Sequence, residues 1–210
     1  MITQVNTVKM TTFPARPING GKLEEGGEKV YGESRRWAFE PKYNGWRVWV
    51  HTETGACFNR HGKPLSISHE LTEAVDRIVV RFARTEVVWI DAECLSRRHH
   101  LGKGALIVLD APVINKDAIF PPEYQARREL LEYYGLSELP IHIPPEPGAV
   151  HLTPTTDTNP VRLYRELEEE NKRFNAEFYE GIVAKRKEKP YPQVYTPDKE
   201  FPWWIKHRFI

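Results

Sequence analysis

Glu40-Pro41-Lys42-Tyr43-Asn44-Gly45-Trp46-Arg47 puts a lysine at the end of one apolar run and an arginine near the start of the next, with a turn pair between them. Trp37 to Pro41 and Trp46 to Thr52 have strand composition, and Asn-Gly is a strong short-range turn signal. Ala56 to Arg60 reads as a third strand after the Thr54-Gly55 turn, so the spacing predicts an antiparallel meander. Further on, Ile67, Leu71, Val75, Ile78, Val79 and Phe82 recur at three- and four-residue steps, which predicts an amphipathic helix capped by Ser66 or Ser68. Glu86 to Asp91 and Gly104 to Ile114 are short and rich in Val, Ile and Leu, as inner strands are. Pro121-Pro122 can open a second helix that Gly135 stops, and Pro160 to Phe174 reads as a third with Asn159 as cap. Glu180 to Arg186 and Trp203 to Phe209 read as closing strands. Strands in groups, punctuated by separate helices, predict an α+β fold of largely antiparallel sheets flanked by helices. The first 35 residues, rich in Gly, Lys and Glu, read as a loosely structured N-terminal arm, and the six prolines of 140–160 suit extended connectors.

With 210 residues, 40% of them apolar, the chain can bury one ordinary core, which excludes a disordered tail or a collagen-like fibre. Its longest apolar run, Ala105 to Leu109, is five residues, where a bilayer span needs roughly twenty. Met-Ile-Thr-Gln at the start carries no secretory pattern, and Cys57 and Cys94 offer no disulfide framework, so a cytoplasmic protein is expected. The net charge of +1 hides an asymmetry, since residues 181–210 hold seven Lys/Arg against three Asp/Glu. A basic closing segment is compatible with a phosphate-rich partner and equally with a solvated face.

A lysine flanked by rings and strands can be desolvated enough to free its lone pair for attack, though a surface lysine beside a turn fits the same segment. Four further segments bear on that choice: Phe58-Asn59-Arg60-His61-Gly62, Asp91-Ala92-Glu93-Cys94, Glu180-Gly181-Ile182-Val183-Ala184-Lys185-Arg186 and Trp204-Ile205-Lys206-His207-Arg208. Together they supply carboxylates and cations suited to attack on a polyphosphate. Cys94 with His99-His100 lacks a second pair of zinc ligands, and one of Trp203 and Trp204 must face the core, because adjacent strand residues point opposite ways. Arg97 and Arg98 read as a solvated loop with those histidines.

These segments resemble the covalent nucleotidyltransferases, and most closely the adenylation (nucleotidyltransferase, ATP-grasp-like) domain of ATP-dependent DNA ligases. The family's Lys-x-Asp-Gly-x-Arg stands here as Lys42 to Arg47, with Asn44 in the aspartate's place. Glu40 matches the glutamate that reads the adenine amino group, Arg60 the arginine of the next motif, and Glu93 the glutamate of Asp-Gly-Glu. Glu180 and Lys185 match the ends of Glu-Gly-x-x-x-Lys, and Lys206 and Arg208 the paired cations of the last motif. The run Glu180 to Tyr191 is similar to the ligase domains of bacterial end-joining ligases, and the resemblance extends over about Trp37 to Ile210.

The resemblance implies an adenylation domain over 36–210 that uses ATP and Mg²⁺ to seal 5′-phosphate/3′-hydroxyl breaks through AMP carried on Lys42. It implies Lys42, Lys185 and Lys206 in catalysis, with Glu40, Arg47, Arg60, Glu93, Lys185, Lys206 and Arg208 around the nucleotide or nick phosphates. Glu93 and Glu180 would bear on the metal. The implied partner is nicked duplex DNA, met by a monomer, with an RNA-containing strand as the alternative that Asn44 raises; a silent nucleic-acid end-binding module is a further one. Leu109 stands where the family often has an aromatic that stacks on adenine. The chain ends two residues after Arg208, so no OB-fold domain is expected within it, and another chain could supply one.

Overall fold

The computed structural model describes residues 8–10, 12–24, 26–32, 34–95, 98, 100–114 and 123–209. Among them are β1 (Arg16–Asn19), β2 (Trp37–Tyr43), β3 (Trp46–His51), β4 (Cys57–Asn59), α1 (His69–Phe82), β5 (Val87–Leu95), β6 (Ala105–Ile114), α2 (Tyr124–Tyr133), β7 (Val150–Leu152), α3 (Pro160–Phe174), β8 (Tyr179–Arg186) and β9 (Glu200–Arg208). The strands form two sheets, of order β1-β9-β8-β2 and β4-β3-β5-β6-β7. Pairing is antiparallel except for β1 on β9 and β7 on β6.

The helices sit where the apolar spacing puts them. Ser68 Oγ accepts from Leu71 N at the start of α1, and Asn159 Oδ1 accepts from Arg162 N at the start of α3. Gly135, with φ 79°, follows the end of α2. The proposed opening of α2 at Pro121-Pro122 lies outside the described residues. Leu71, Ala74, Ile78 and Phe82 of α1 pack on Val50, Ile90 and Val108 of the five-stranded sheet. A second core joins both sheets to α3 through Phe39, Ile107, Ile182 and Leu167, and a third gathers Trp49, Trp89, Tyr191 and Trp204.

Two expectations are corrected. Trp37 to Arg60 is not one meander, because β2 pairs with β8 while β3 pairs with β4 and β5. Asn44-Gly45 is therefore a corner between sheets rather than a hairpin turn. Asn44 continues the first sheet, its backbone N donating to Phe178 O and its amide to Glu177 O, both at 2.9 Å. Gly45 then passes so close to β5 that a Cβ would lie 2.6 Å from Cys94 O and 2.7 Å from Glu93 Cγ. Nor is the N-terminal arm loose over its whole length, since Arg16–Asn19 pairs with β9 and Tyr31 is buried beside Trp37 and Phe39. Four residues are too few for a period-two pattern to announce that strand.

The β2–β8 ladder carries an irregularity that shapes the site. Lys42 pairs with Gly181 but Tyr43 pairs with Tyr179, so Glu180 is the extra residue of a bulge. Gly181 has φ 142°, and a Cβ there would sit 1.8 Å from the carbonyl oxygen of His207 on β9. Gly181→Ala is expected to destabilise the fold by about 3 kcal/mol through backbone strain and forced separation of β8 from β9. Urea denaturation measures this, and a loss below about 0.5 kcal/mol, the size of an ordinary surface change, would contradict it.

Candidate active site

The two sheets meet at a cleft of about 430 Å³, within the range of small-molecule sites. All nine residues singled out from the sequence line it. Glu40 and Lys42 share a face of β2 by the two-residue period, as do Lys206 and Arg208 on β9. Arg47 on β3 lies opposite Glu93 on β5, and Val183 on β8 opposite Lys206. Glu180 and Lys185, five apart, would face opposite ways on a regular strand; the bulge at Glu180 lets both reach the cleft.

Lys42 Nζ donates to Glu180 Oε2. That carboxylate also meets Arg208 Nε at 3.4 Å and, through Oε1, Arg98 Nη1 at 3.3 Å. Arg98 Nη1 donates to Asn44 Oδ1 at 3.0 Å, so the amide that replaces the expected aspartate anchors an arginine. Arg98 is on an exposed loop, as is His100, and it also lines the cleft; Arg97 and His99 lie outside the described residues. No motif flagged it, because its place depends on the fold bringing β5's end beside the Asn44 corner.

The cleft floor is part of a buried ionic network. Lys185 Nζ meets Glu40 Oε2 and the carbonyl of Leu109, each at 2.9 Å, and Asp110 Oδ2 at 3.6 Å. Tyr124 hydroxyl donates to Glu40 Oε1 at 2.6 Å, leaving Glu40 2% exposed. Arg127 of α2 grips Asp110 through Nε at 2.6 Å and Nη2 at 3.0 Å. Burial alone would raise the Asp110 carboxyl, but Arg127 and Lys185 hold it below its ordinary value. Arg47 makes a matching pair with Asp91, Nε to Oδ1 at 2.8 Å and Nη2 to Oδ2 at 2.6 Å, and Tyr191 hydroxyl donates to Asp91 at 2.8 Å. Two nitrogens of Arg47 are thus committed to the protein. Arg127 and Tyr124 on α2 escaped the motif reading because single charged or aromatic residues on a helix carry no spacing signal.

Lys206 donates to Pro17 O at 3.2 Å and lies 3.6 Å from Glu200. Burial lowers its pKa; Glu200 opposes the shift, and Arg208 and Arg16 add to it. Arg60, about half exposed, stands at the mouth with its Nε 3.0 Å from His61 Nε2. Leu109 and Val183 line the cleft as apolar walls, and the Lys185 ammonium lies 4.9 Å from the ring centre of Trp204, the buried one of the tryptophan pair. The lining holds eight Lys/Arg and three Glu, in a chain whose net charge is +1. That excess favours a polyanion.

Glu180 contacts Lys42, and Glu93 feels the charge of both, so the two carboxylates share one electrostatic site. Among the described residues no three His, Cys or carboxylate groups gather to hold a metal. A hard cation such as Mg²⁺ fits two carboxylates when water and phosphate oxygens complete its shell.

No family model matches the chain and no curated protein does. Solved structures do match in fold. Mycobacterial DNA ligase D complexed with ATP and MES is 18% identical with a TM-score of 0.64, over 94% of this chain and 60% of that one. The Chlorella virus DNA ligase-adenylate is 15% identical with a TM-score of 0.55, over 95% of this chain and 68% of that one. An archaeal ATP-dependent RNA ligase is 16% identical with a TM-score of 0.50, over 92% and 48%. The chain spans about 60% of the length of the mycobacterial ligase structure. Its α+β fold is like that of these DNA ligase structures.

Burial pushes the Glu93 carboxyl up to about 7, with Lys42 and Arg47 opposing and Glu180 and Asp91 adding to the rise. The folded protein therefore holds a proton that the unfolded chain has lost between its ordinary value of 4.5 and about 7, and stability falls as pH rises through that window. Glu93→Gln removes the cost of ionising there. Its melting temperature is expected to gain on the parent between about pH 5 and about pH 8, and a pH-independent difference would contradict the assignment.

Proposed function

We propose that the cleft is the adenylate-transfer centre of an ATP-dependent polynucleotide ligase. The observation that carries the reading is Lys42, held by Glu180 and flanked by Glu93, in a cleft whose charged side chains sum to +5. The likeness in fold to DNA ligase domains supports it.

The Lys42 ammonium gives up a proton to solvent and the amine attacks the α-phosphorus of ATP; the N–P bond forms as the bond to pyrophosphate breaks, pyrophosphate leaves, and the nitrogen sheds a second proton. Lys185 and Lys206 neutralise charge that builds on the α-phosphate oxygens, and their burial makes that help stronger than it would be in water. Mg²⁺ at Glu93 and Glu180 would supply further charge neutralisation on the phosphates. A 5′-phosphate oxygen at the break then takes AMP from Lys42, and the 3′-hydroxyl displaces AMP to join the strand. Arg60 and Arg208 lie toward the open side, where the nucleotide tail or nick phosphates would be held. Glu40 is set to recognise the base from the floor, between the apolar walls of Leu109 and Val183, while Arg47 orders that floor through Asp91.

DNA is the preferred substrate in this reading, because Glu40 and the run from Glu180 have the DNA-ligase pattern. The archaeal RNA ligase likeness and Asn44 favour RNA as the second reading. Sealing of an all-DNA nick is expected to exceed sealing of a nick whose broken strand is RNA, and exclusive RNA sealing would reverse the choice. Lys42→Ala is expected to cut sealing from ATP by at least about 10³-fold while a pre-adenylated nick is still joined. Lys206→Ala is expected to slow single-turnover adenylation roughly a hundredfold, as loss of a charge-stabilising donor does. An unchanged rate would remove Lys206 from the chemical step.

A further inference from the structure

Asn44, where the family pattern has aspartate, makes a pair of bonds that a carboxylate cannot make together. Its amide nitrogen donates to Glu177 O at 2.9 Å while its Oδ1 accepts from Arg98 Nη1 at 3.0 Å, and the residue is 8% exposed. The same Nη1 lies 3.3 Å from Glu180 Oε1, and the other oxygen of that carboxylate accepts from Lys42 Nζ. Arg208 Nε also stands 3.4 Å from that second oxygen. Arg98 thus joins three segments: the loop after β5 that carries it, the corner after β2 and the bulge of β8. Its own side chain is 51% exposed, so the pairing with Glu180 is weak by itself and the anchor at Asn44 is what localises it.

We infer that Arg98 is a positioning residue for Lys42, acting through Glu180, and that an amide at position 44, not a carboxylate, is required to hold it there. The terminal torsion of a glutamate is broad, so an untethered carboxylate samples many orientations. A donor on Oε1 narrows that range and keeps Oε2 turned toward the Lys42 amine, whose approach to a reacting phosphorus depends on such placement. An amide offers a donor at one end and an acceptor at the other, which is what Glu177 O and Arg98 demand of position 44. An ionised aspartate there would still accept from Arg98. It would also set a second acceptor against Glu177 O, and the corner would have to draw away from the start of β8. The family's aspartate is then the poorer residue in this chain. The inference rests on the reading of Lys42 as the nucleophile of a ligase centre.

The test uses the whole chain and follows the contact and the chemistry separately. A water-soluble carbodiimide joins a carboxylate to an amine only where the two touch. The Lys42–Glu180 cross-link, mapped by mass spectrometry, therefore reports how well the pair is held whether or not the protein is a ligase. Its yield is expected to fall about threefold in Arg98→Ala and in Asn44→Asp, the size of an exposed ion pair. Single-turnover AMP transfer at saturating ATP, which isolates the chemical step from binding, is expected to slow about tenfold in both variants, as misplacement of a nucleophile does. Dilute guanidinium ion is expected to restore both readouts in Arg98→Ala, because that site is half exposed, and neither in Asn44→Asp. An unchanged cross-link in Arg98→Ala, an Asn44→Asp protein equal to the parent, or a loss that guanidinium does not repair in Arg98→Ala overturns the inference. AMP labelling of the parent is measured in parallel. Labelling with a cross-link indifferent to Arg98 sinks this inference alone, and an Arg98-dependent cross-link without labelling sinks the ligase reading alone.

Discussion

The Lys185 ammonium, buried between Glu40, Asp110 and the carbonyl of Leu109, is the tie on which the cleft depends. Glu40 and Lys185 belong to the four-stranded sheet, Leu109 and Asp110 to the five-stranded one, so a single charge joins both walls. Arg127 extends the tie to α2, and Tyr124 closes it over Glu40. Removing one member of such a network strands a buried charge, at a cost of about 3–5 kcal/mol. The geometry of the cleft is therefore enforced by electrostatics as well as by the cores on either side of it.

That enforcement bears on chemistry. Cations held by buried carboxylates cannot relax away from a phosphate as mobile surface lysines can, and preorganised charge is what stabilises a charge-building transition state. The cleft is graded in this respect. Lys185 is sealed in the floor, Lys206 and Arg47 are partly covered, and Arg60 and Arg208 are about half exposed at the rim. A polyanion entering from solvent would meet exposed cations first and buried ones last.

Much of this was legible in the sequence, for reasons that differ by element. The three helices and most strands announced themselves through apolar periodicity and caps, as Ser68 and Asn159 show. The motif residues all reached one cleft because strand alternation fixes Glu40 with Lys42, and Lys206 with Arg208. Strand partners were not legible. Asn44-Gly45 carries the local signature of a hairpin, yet the contacts that make it a corner, Phe178 O and Cys94 O, lie far along the chain. Arg98 and Arg127 were missed likewise, since their roles come from long-range neighbours. The bulge at Glu180 has no sequence marker beyond the glycine after it.

The central claim is that the Lys42 amine is the nucleophile, and peptide mapping by mass spectrometry after incubation with ATP and Mg²⁺ tests it most directly. The account predicts one AMP per chain, on the peptide containing Lys42 and on no other. AMP on the peptides of Lys185 or Lys206, or none on any peptide, would contradict it.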